Sequence, residues 1–349
     1  MLSKLIVSRD RDVGTEPMRT SLAEGKGDPI ARVFRVLVLL GCLVLYLLFV
    51  EMRVTIPGSD LTRVVEEFSA IGMSEYNWRE PLYWATGKIL TGILGDAWVS
   101  IIALDLVGLC CLSLALRKYT VPTPFIIALF FSPLFVLGIN NIHRQLIGFA
   151  VWLLVERETL DRGPYKVFYL HIIPFLVHTS MGILSLIYFI CYSVIRRDFF
   201  ILFSIIFVSA FFTGFFASDL SELFREGTDV STSIGVYVAW SLVLGIPMML
   251  AARNEGFMIL FYGLGFVAST GLFILSGGSS GSRFFVMFIT VVAIWVVSRV
   301  LALTKRKGTA YFITLYMISV LIVAPTFFNN FSFEMLRSAV MRVQFGMDY

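Results

Sequence analysis

Long apolar runs recur from residue 33 to residue 327, and they constrain the fold of this chain more than any other feature. A stretch of roughly 20 mostly apolar residues is long enough to cross the hydrocarbon core of a bilayer as a helix. Charged residues make up only 15% of the sequence, whereas soluble globular proteins contain about 25%. The sequence therefore predicts an all-α, polytopic integral membrane protein.

The apolar runs divide into about eleven predicted spans, several of them bounded by segments such as KYTVPTP, DRGPY and KRKG. The spans cover residues 33–50, 97–116, 122–139, 141–158, 165–179, 181–195, 199–216, 234–251, 256–276, 283–303 and 309–327. Residues 1–31 mix charges with Gly, Ser and Thr, so a loose tail is predicted there. Residues 32–327 then form one transmembrane domain, and residues 328–349 form a C-terminal tail.

The basic residues predict the orientation, because Lys and Arg concentrate in loops on the cytoplasmic side of a membrane. If the N-terminal tail is inside, every predicted inside loop is basic, as at Arg117 and Lys118. The long predicted outside loop 51–96 is of mixed charge, with more acidic than basic residues. Within it, LTRVVEEFSAIG and REPLYWATGKILTGILG have the pattern of amphipathic helices at the membrane surface. The N-terminus is thus predicted inside and the C-terminus outside.

The cysteines all lie in apolar runs, at Cys42, Cys110, Cys111 and Cys191. The sequence has no CxxC pair and no Cys/His spacing typical of a metal site, so we expect these residues to pack as small apolar side chains. Neither a metal nor a cofactor is predicted.

Two arginines begin predicted helices at the outer face, where positive charge goes against the general bias. Arg144 lies in NNIHRQLIGF, and Arg283 follows the Gly/Ser loop of LSGGSSGSRFF. A helix N-terminus already carries about half a positive charge, so an arginine there is favourable when an anion lies between it and the free N–H groups. The alternative is an arginine that reaches lipid phosphates, with Asn140 or Asn141 as a plain helix cap. Two such sites together suit two linked anionic groups, such as a pyrophosphate.

His178 lies in PFLVHTSMGIL, where one short predicted span ends and the next begins. Because both spans are short, we expect this turn to lie in a recess below the outer membrane surface. A histidine there needs a partner or a role, and it can exchange a proton near neutral pH. His178 is therefore either a candidate base or a ring satisfied by a backbone carbonyl. The deeper His171 is assigned a structural role, and His143 points about 100° away from its neighbour Arg144 on a helix.

The predicted first outer loop supplies candidate acids and aromatic residues. Asp60 follows a Pro-Gly turn in IPGSDLTRVVEEF, where it also fits a plain helix cap. The segment NWREPLYW carries Arg79 and Glu80 between Trp78 and Tyr83. Aromatic side chains with carboxylates commonly hold sugars, and a belt at the membrane interface also explains them.

The order of these motifs resembles the EpsG-like and Wzy-type polysaccharide polymerases of bacteria, known for O-antigen synthesis. The segments that carry the resemblance are GSD, REPLYW, NNIHRQLIGFAVWLL, FLVHTSMGILSL and SGSRFFVMF. In that family an RQ helix start precedes an H-S/T turn by about 30–35 residues, and Arg144-Gln145 and His178-Thr179 fit this pattern. The family usually has a Tyr soon after the Asp of the outer loop, and DLTRVVEEF has none.

The resemblance implies a GT-C-like glycosyltransferase of the bacterial inner membrane, with its active site on the periplasmic face. Such an enzyme transfers the growing chain from undecaprenyl pyrophosphate onto a new lipid-linked repeat unit. The implied partners are the lipid-linked oligosaccharide donor and acceptor and the membrane lipid, with room for a chain-length-regulating copolymerase. No nucleic acid is implied.

On this interpretation, positive charge stabilises the departing pyrophosphate, and Arg144, Arg283 and Arg79 are expected to supply it. The acceptor hydroxyl needs a base, for which His178 is the first choice and Asp60 or Glu80 the second. The remaining substrate contacts are expected from Asn140, Asn141, His143, Gln145, Trp78 and Tyr83.

Two other functions fit a site that binds a lipid-linked sugar. A flippase or exporter would also need cations, but it should have polar residues at mid-membrane in several helices, where Asp105 is the clearest example. An O-antigen ligase would use the same donor with lipid A core as acceptor. Ligases usually carry a larger late outer loop than the predicted one at 217–233.

Overall fold

The computed structural model describes residues 60–119, 121–130, 143–162, 168–196, 256–275 and 279–303, with isolated positions at 40, 41, 46, 132, 134, 135 and 138. All regular secondary structure in these ranges is helical, which confirms the all-α prediction for the described part of the chain. The predicted spans 199–216, 234–251 and 309–327, most of 33–50 and both tails lie outside the described residues.

Nine helices and two short 3₁₀ turns make up the described part. The helices are α1 (Asp60–Ser69), α2 (Pro81–Leu94), α3 (Ala97–Tyr119), α4 (Thr123–Phe130), α5 (His143–Arg162), α6 (Ile172–Val177), α7 (Thr179–Arg196), α8 (Gly256–Leu275) and α9 (Ser279–Leu303). The 3₁₀ turns are Glu75–Arg79, which leads into α2, and Phe168–His171, which leads into α6.

The helices α1 and α2 lie in the two segments whose pattern predicts amphipathic helices. Leu61, Val64 and Phe68 form the buried face of α1, at i, i+3 and i+7, as the 3.6-residue period requires. They pack in one cluster with Tyr83 and Trp84 of α2. Burial of this apolar face is what holds α1 against α2.

A glycine and a lysine complete this contact. A Cβ at Gly87 would lie 2.0 Å from the Phe68 ring, so only glycine lets the ring lie against α2. The Lys88 ammonium donates hydrogen bonds to the carbonyl oxygens of Glu67 and Ala70. Those carbonyls lie at the end of α1, where a cation satisfies acceptors that have no partner within the helix.

Within the described ranges, α3 is the one helix long and apolar enough to cross a membrane, with a mean hydropathy of 2.4. Among the described helices, α3 packs most extensively against α5. The two helices run parallel, since Gly108 in the middle of α3 approaches Ile147 near the start of α5, whereas Lys118 near the end of α3 pairs with Glu158 near the end of α5. Parallel neighbours need a connection that returns, and α4 lies in that connection.

The helix α4 is shorter than the predicted span 122–139. It ends at Phe130, and the Ser132 N–H and Oγ both donate hydrogen bonds to the carbonyl oxygen of Leu129. Ser132 precedes Pro133, and a residue before proline is disfavoured in the helical region. Residues 134, 135 and 138 are helical again, so the bend at Ser132 interrupts the predicted span 122–139, which itself stays a prediction.

The helix α7 also runs parallel to α5. A Cβ at Gly148 would lie 3.0 Å from Met181, and the Trp152 indole donates a hydrogen bond of 2.9 Å to Ser185. Between α5 and α7, the described part of the predicted span 165–179 forms a 3₁₀ turn and the short helix α6. These two elements return the chain to the start of α7.

The helix α9 runs in the same direction as α3, α5 and α7. Its Met287 lies 3.9 Å from Ser180 at the start of α7, and its Ser298 donates a hydrogen bond to the carbonyl oxygen of Tyr119 at the end of α3. The helix α8 runs the opposite way, because Gly265 lies against Phe288 whereas the earlier Phe261 lies against Trp295. These directions match those required by the predicted alternation of spans.

The bundle therefore has two distinct ends. The helices α3, α5, α7 and α9 all begin near what we call the Glu80 end and finish near the Lys118 end. On the predicted orientation the Glu80 end faces outside. The Lys118 end carries Arg117, Lys118 and Arg157.

Candidate functional site

Three separate segments meet at the Glu80 end and bring together a carboxylate, a guanidinium and an imidazole. Glu80 precedes α2, with Pro81 at the first helical position, where its missing N–H costs nothing. Arg144 lies in the first turn of α5, and His178 lies between α6 and α7. The site is thus built from two helix starts and one helix junction.

Glu80 bridges the two other side chains. Its Oε2 accepts a hydrogen bond of 2.6 Å from Nη1 of Arg144, and its Oε1 lies 3.2 Å from Nε2 of His178. Glu80 is only 4% exposed. A buried carboxylate needs paired charge and hydrogen bonds to offset its desolvation, and the arginine supplies both.

The backbone at His178 leaves the helical region so that its ring can reach Glu80. The residue is extended, with φ −155° and ψ 129°, and its N–H donates to the carbonyl oxygen of Pro174 at 2.9 Å. A Cβ at Gly148 of α5 would lie 3.0 Å from the Cβ of His178. The small residue at 148 therefore lets the junction lie close against α5.

The hydrogen bonds of His178 assign its tautomer. Its Nδ1 accepts a hydrogen bond of 3.2 Å from the backbone N–H of Ser180 and lies 2.6 Å from the Ser180 hydroxyl. A backbone N–H only donates, so Nδ1 is the acceptor and Nε2 carries the proton toward Glu80. Both ring nitrogens are thereby engaged, whereas each carboxylate oxygen of Glu80 has lone pairs to spare.

A cluster of arginines surrounds one aromatic ring beside this carboxylate. The guanidinium carbons of Arg63, Arg79 and Arg144 lie 3.9, 5.6 and 5.4 Å from the ring centroid of Tyr76. Arg144 also lies 5.3 Å from the Trp84 ring. We call Arg63, Tyr76 and Arg79, together with Arg144, the arginine cluster.

Tyr83 and His143, which were predicted to contact substrate, lie in the interior instead. The Tyr83 hydroxyl is 2.6 Å from Nδ1 of His143, and Nε2 of His143 is 2.8 Å from Asp105. Asp105 also accepts a hydrogen bond of 2.5 Å from the Tyr46 hydroxyl. All four side chains are at most 2% exposed. Consecutive residues on a helix point about 100° apart, so Arg144 reaches Glu80 while His143 faces α3.

Arg283 was predicted at the start of its helix, but the structure places it further along the helix. The helix α9 begins at Ser279, so four residues of the predicted Gly/Ser loop are already helical and Arg283 lies in the second turn. Serine is a favoured residue at helix starts. Arg283 is exposed, and Met287, one turn further on the same face, contacts Ser180. The structure therefore places Arg283 one turn from the His178 junction.

The remaining predicted site residues are distributed as follows. Trp78 is 64% exposed beside the arginine cluster. Gln145 is 9% exposed, and its Oε1 has no hydrogen-bond partner among the described residues. Asp60 is the first described residue of α1 and is itself helical, whereas a residue that caps a helix has non-helical backbone angles. Asn140 and Asn141 lie outside the described residues.

His171, assigned a structural role from the sequence, belongs to a separate buried network. Its Nε2 lies 2.9 Å from the Thr159 hydroxyl, and its Nδ1 lies 2.9 Å from the Ser185 hydroxyl. Ser185 also accepts the hydrogen bond of Trp152. The network joins α5, the second 3₁₀ turn and α7. Among the described residues, no group of three His, Cys, Asp or Glu side chains is placed so that it could hold a metal ion.

Sequence reasoning missed Arg63, Tyr76 and Ser180. In the sequence, Arg63 fits the polar face of an amphipathic helix, and Tyr76 fits the aromatic belt at a membrane interface. The signal for Ser180 was present in the letters HTS, because a serine two residues after a histidine can bond back to its ring.

Comparisons of the chain with protein-family models, curated proteins and solved structures found no match.

Proposed function

We propose that this protein is an integral-membrane glycosyltransferase that polymerises lipid-linked oligosaccharide repeat units at the periplasmic face of a bacterial inner membrane. The observation that carries the proposal is the buried Glu80 carboxylate held between Arg144 and His178. It combines a proton acceptor with positive charge, which are the two groups that transfer from a pyrophosphate donor requires.

The reaction forms one bond and breaks another. The oxygen of an acceptor sugar hydroxyl attacks the anomeric carbon of the donor chain, and the bond from that carbon to the pyrophosphate oxygen breaks. The hydroxyl proton passes to the Glu80 carboxylate, and the bonding electrons leave with the undecaprenyl pyrophosphate. Arg144 and Arg79 stabilise the negative charge that develops on this leaving group.

Glu80 takes the place of His178 as the first choice of base in this proposal. Both ring nitrogens of His178 already have partners, whereas the Glu80 oxygens have spare lone pairs. His178 then acts as a positioning residue, because its Nε2–H holds one carboxylate oxygen while Arg144 holds the other. Arg283 is proposed as a further contact for the diphosphate from the neighbouring helix.

The helix directions also support this function. On the predicted orientation, Glu80, Arg144 and His178 all lie at the outer end of the bundle, where lipid-linked repeat units are presented after export. A flippase or exporter would be expected to carry its polar groups along the middle of several helices. Asp105 is the polar residue that favours that alternative, and it is already bonded to His143 and Tyr46.

The polysaccharide ladder of a strain that lacks its own copy of the gene tests the proposal. We expect the wild-type chain to restore the ladder, and Arg144→Ala, His178→Ala and Glu80→Gln to abolish it with normal protein levels in the membrane. Loss of a polymerase leaves single repeat units on lipid A, loss of an O-antigen ligase leaves none attached, and loss of a flippase traps units inside. Full ladders from all three variants would overturn the site.

A further inference from the structure

We propose that a buried chain of Tyr83, His143 and Asp105 acts as a brace that positions Glu80 and Arg144 for the reaction. All three members of the brace are at most 2% exposed, so they are positioning residues and not catalytic ones. The inference rests on the proposed function for the reaction that the brace serves. The brace itself is a property of the fold and is tested separately.

The first step of the argument is that two bridges join the start of α2 to the start of α5. One is the ion pair of 2.6 Å between Oε2 of Glu80 and Nη1 of Arg144. The other is the contact of 2.6 Å between the Tyr83 hydroxyl and Nδ1 of His143. Tyr83 follows Glu80 by about one helical turn, and His143 immediately precedes Arg144. The two bridges therefore cross the same helix contact.

The second step is that Trp84 connects the two bridges. Its ring lies 5.2 Å from the Tyr83 ring and 5.3 Å from the guanidinium carbon of Arg144. Its backbone N–H donates a hydrogen bond of 3.2 Å to the carbonyl oxygen of Glu80. The indole is fully buried, and a closely packed interior transmits a displacement. A shift of Tyr83 therefore reaches both members of the ion pair.

The third step is that Asp105 anchors the brace to α3. Its Oδ1 lies 2.8 Å from Nε2 of His143, and its Oδ2 accepts a hydrogen bond of 2.5 Å from the Tyr46 hydroxyl. The carboxylate is only 2% exposed, so the loss of either partner would leave an acceptor in the interior with one hydrogen bond fewer. The long apolar helix α3 therefore holds the start of α5 in place through His143.

The fourth step is that the two bridges differ in their access to substrate. Tyr83 and His143 are at most 2% exposed, whereas the Arg144 side chain is 14% exposed. In the proposed reaction the Arg144 guanidinium turns some of its five N–H donors from Glu80 to the departing pyrophosphate. The ion pair weakens at that moment, whereas the buried bridge stays intact. The brace therefore keeps the two helix starts in register while their charged side chains exchange partners.

Kinetics of the full-length protein test the positioning role. The substrate is the lipid-linked repeat unit extracted from a strain that lacks the gene. We expect Tyr83→Phe to lower kcat about 10-fold, because a small misplacement of reacting groups slows the chemical step. The KM should stay within about 2-fold of the wild type, because substrate binding itself does not use the hydroxyl.

Tyr119→Phe is the matched control for this measurement. It removes a buried tyrosine hydroxyl that accepts a hydrogen bond from the Trp295 indole at the Lys118 end of the bundle. Both kinetic constants of Tyr119→Phe should equal those of the wild type. An unchanged kcat in Tyr83→Phe, or an equal fall in Tyr119→Phe, would overturn the positioning role.

A double-mutant cycle on thermal unfolding tests the brace without an enzyme assay. Substitutions at distant, independent sites have additive effects, whereas substitutions within one network do not. We expect the combined loss of Tm in Tyr83→Phe with Arg144→Ala to be smaller than the sum of the two single losses, since either change alone loosens the shared helix contact. The cycle is repeated with Arg144→Lys in case Arg144→Ala does not fold.

The same cycle with Tyr119→Phe in place of Tyr83→Phe should be additive. An additive cycle for Tyr83 and Arg144 would overturn the brace. The two measurements also separate the brace from the proposed function. A wild-type protein that fails to polymerise the extracted units but gives a non-additive cycle would support the brace and overturn the polymerase. A polymerising protein with an additive cycle would do the reverse.

Discussion

The Nε2 atom of His178 lies 3.2 Å from Oε1 of Glu80, while the Nδ1 atom of the same ring accepts the backbone N–H of Ser180. The ring therefore holds the carboxylate as a donor and is itself held by the first turn of α7. This relationship makes Glu80 the group on which the proposed chemistry depends.

The first prediction concerns Glu80. Glu80→Gln keeps the shape of the side chain but removes its charge and its capacity to accept a proton, so we expect polymer formation to fall at least about 100-fold. The rate is measured as polymer formed per amount of membrane-inserted protein. Glu75→Gln, on the exposed part of the first 3₁₀ turn, is the control and should retain its rate. A Glu80→Gln protein with normal polymer would assign the base to another residue.

The second prediction concerns Ser180. Ser180→Ala removes the hydroxyl beside Nδ1 of His178 but keeps the backbone N–H, so we expect the rate to fall by about 3- to 10-fold, the equivalent of one hydrogen bond. Ser180→Thr retains a hydroxyl and should restore most of the rate. If Ser180→Ala and Ser180→Thr are equally impaired, packing at this position rather than the hydroxyl matters.

The third prediction concerns the buried chain of Tyr46, Asp105, His143 and Tyr83. Tyr83→Phe removes one hydrogen bond from it, and we expect the free energy of unfolding to fall by about 1–2 kcal/mol. Asp105→Ala leaves His143 and Tyr46 without their acceptor, which should cost about 3–5 kcal/mol. Thermal unfolding of the purified protein in detergent measures both. An Asp105→Ala protein as stable as the wild type would show that the network does not hold the helices together.

The fourth prediction compares two glycines on α2. A Cβ at Gly87 would meet the Phe68 ring at 2.0 Å, whereas a Cβ at Gly92 has nothing within 4 Å. We expect Gly87→Ala to destabilise the protein by about 1–3 kcal/mol through overpacking. Gly92→Ala should be neutral or stabilising by up to about 1 kcal/mol, because alanine favours helix. Thermal unfolding of the two variants side by side reads out the difference, and equal shifts would contradict the packing of α1 on α2.

The fifth prediction concerns orientation. Trp78 is exposed near the Glu80 end, and Arg117 is exposed near the Lys118 end. In a chain without its natural cysteines, Trp78→Cys should react with a membrane-impermeant maleimide added outside intact spheroplasts, and Arg117→Cys should react only after the membrane is opened. The reverse pattern would invert the predicted orientation.

Apolar periodicity in the sequence predicted most of the described helices, because burial of one face depends on spacing alone. The amphipathic pattern of LTRVVEEFS corresponds to α1, with Leu61, Val64 and Phe68 on its buried face. The bend at Ser132 was not predicted, although a proline at the next position is a physical cause for it. The start of α9 was placed four residues too late, because glycine and serine suit both loops and helix starts.

The site could be predicted only in part. Arg144, Glu80 and His178 each attract attention in the sequence as polar residues beside apolar runs, but their pairing depends on which helices are neighbours. His143 and Tyr83 were predicted to contact substrate because nothing in the local sequence shows that Asp105 faces His143 in the interior. Arg63 belongs to the arginine cluster because α1 packs near the 3₁₀ turn that carries Tyr76. No sequence motif specifies this contact.

The order of the site residues along the chain has a consequence for biogenesis. During synthesis Glu80 emerges first, Arg144 follows, and His178 arrives last, with α3 to α6 made in between. The carboxylate therefore acquires its guanidinium only when α5 enters the bundle, and its imidazole only when the α6–α7 junction docks. A chain that stops before this junction lacks the imidazole, so the proposed activity would itself report that assembly has passed His178.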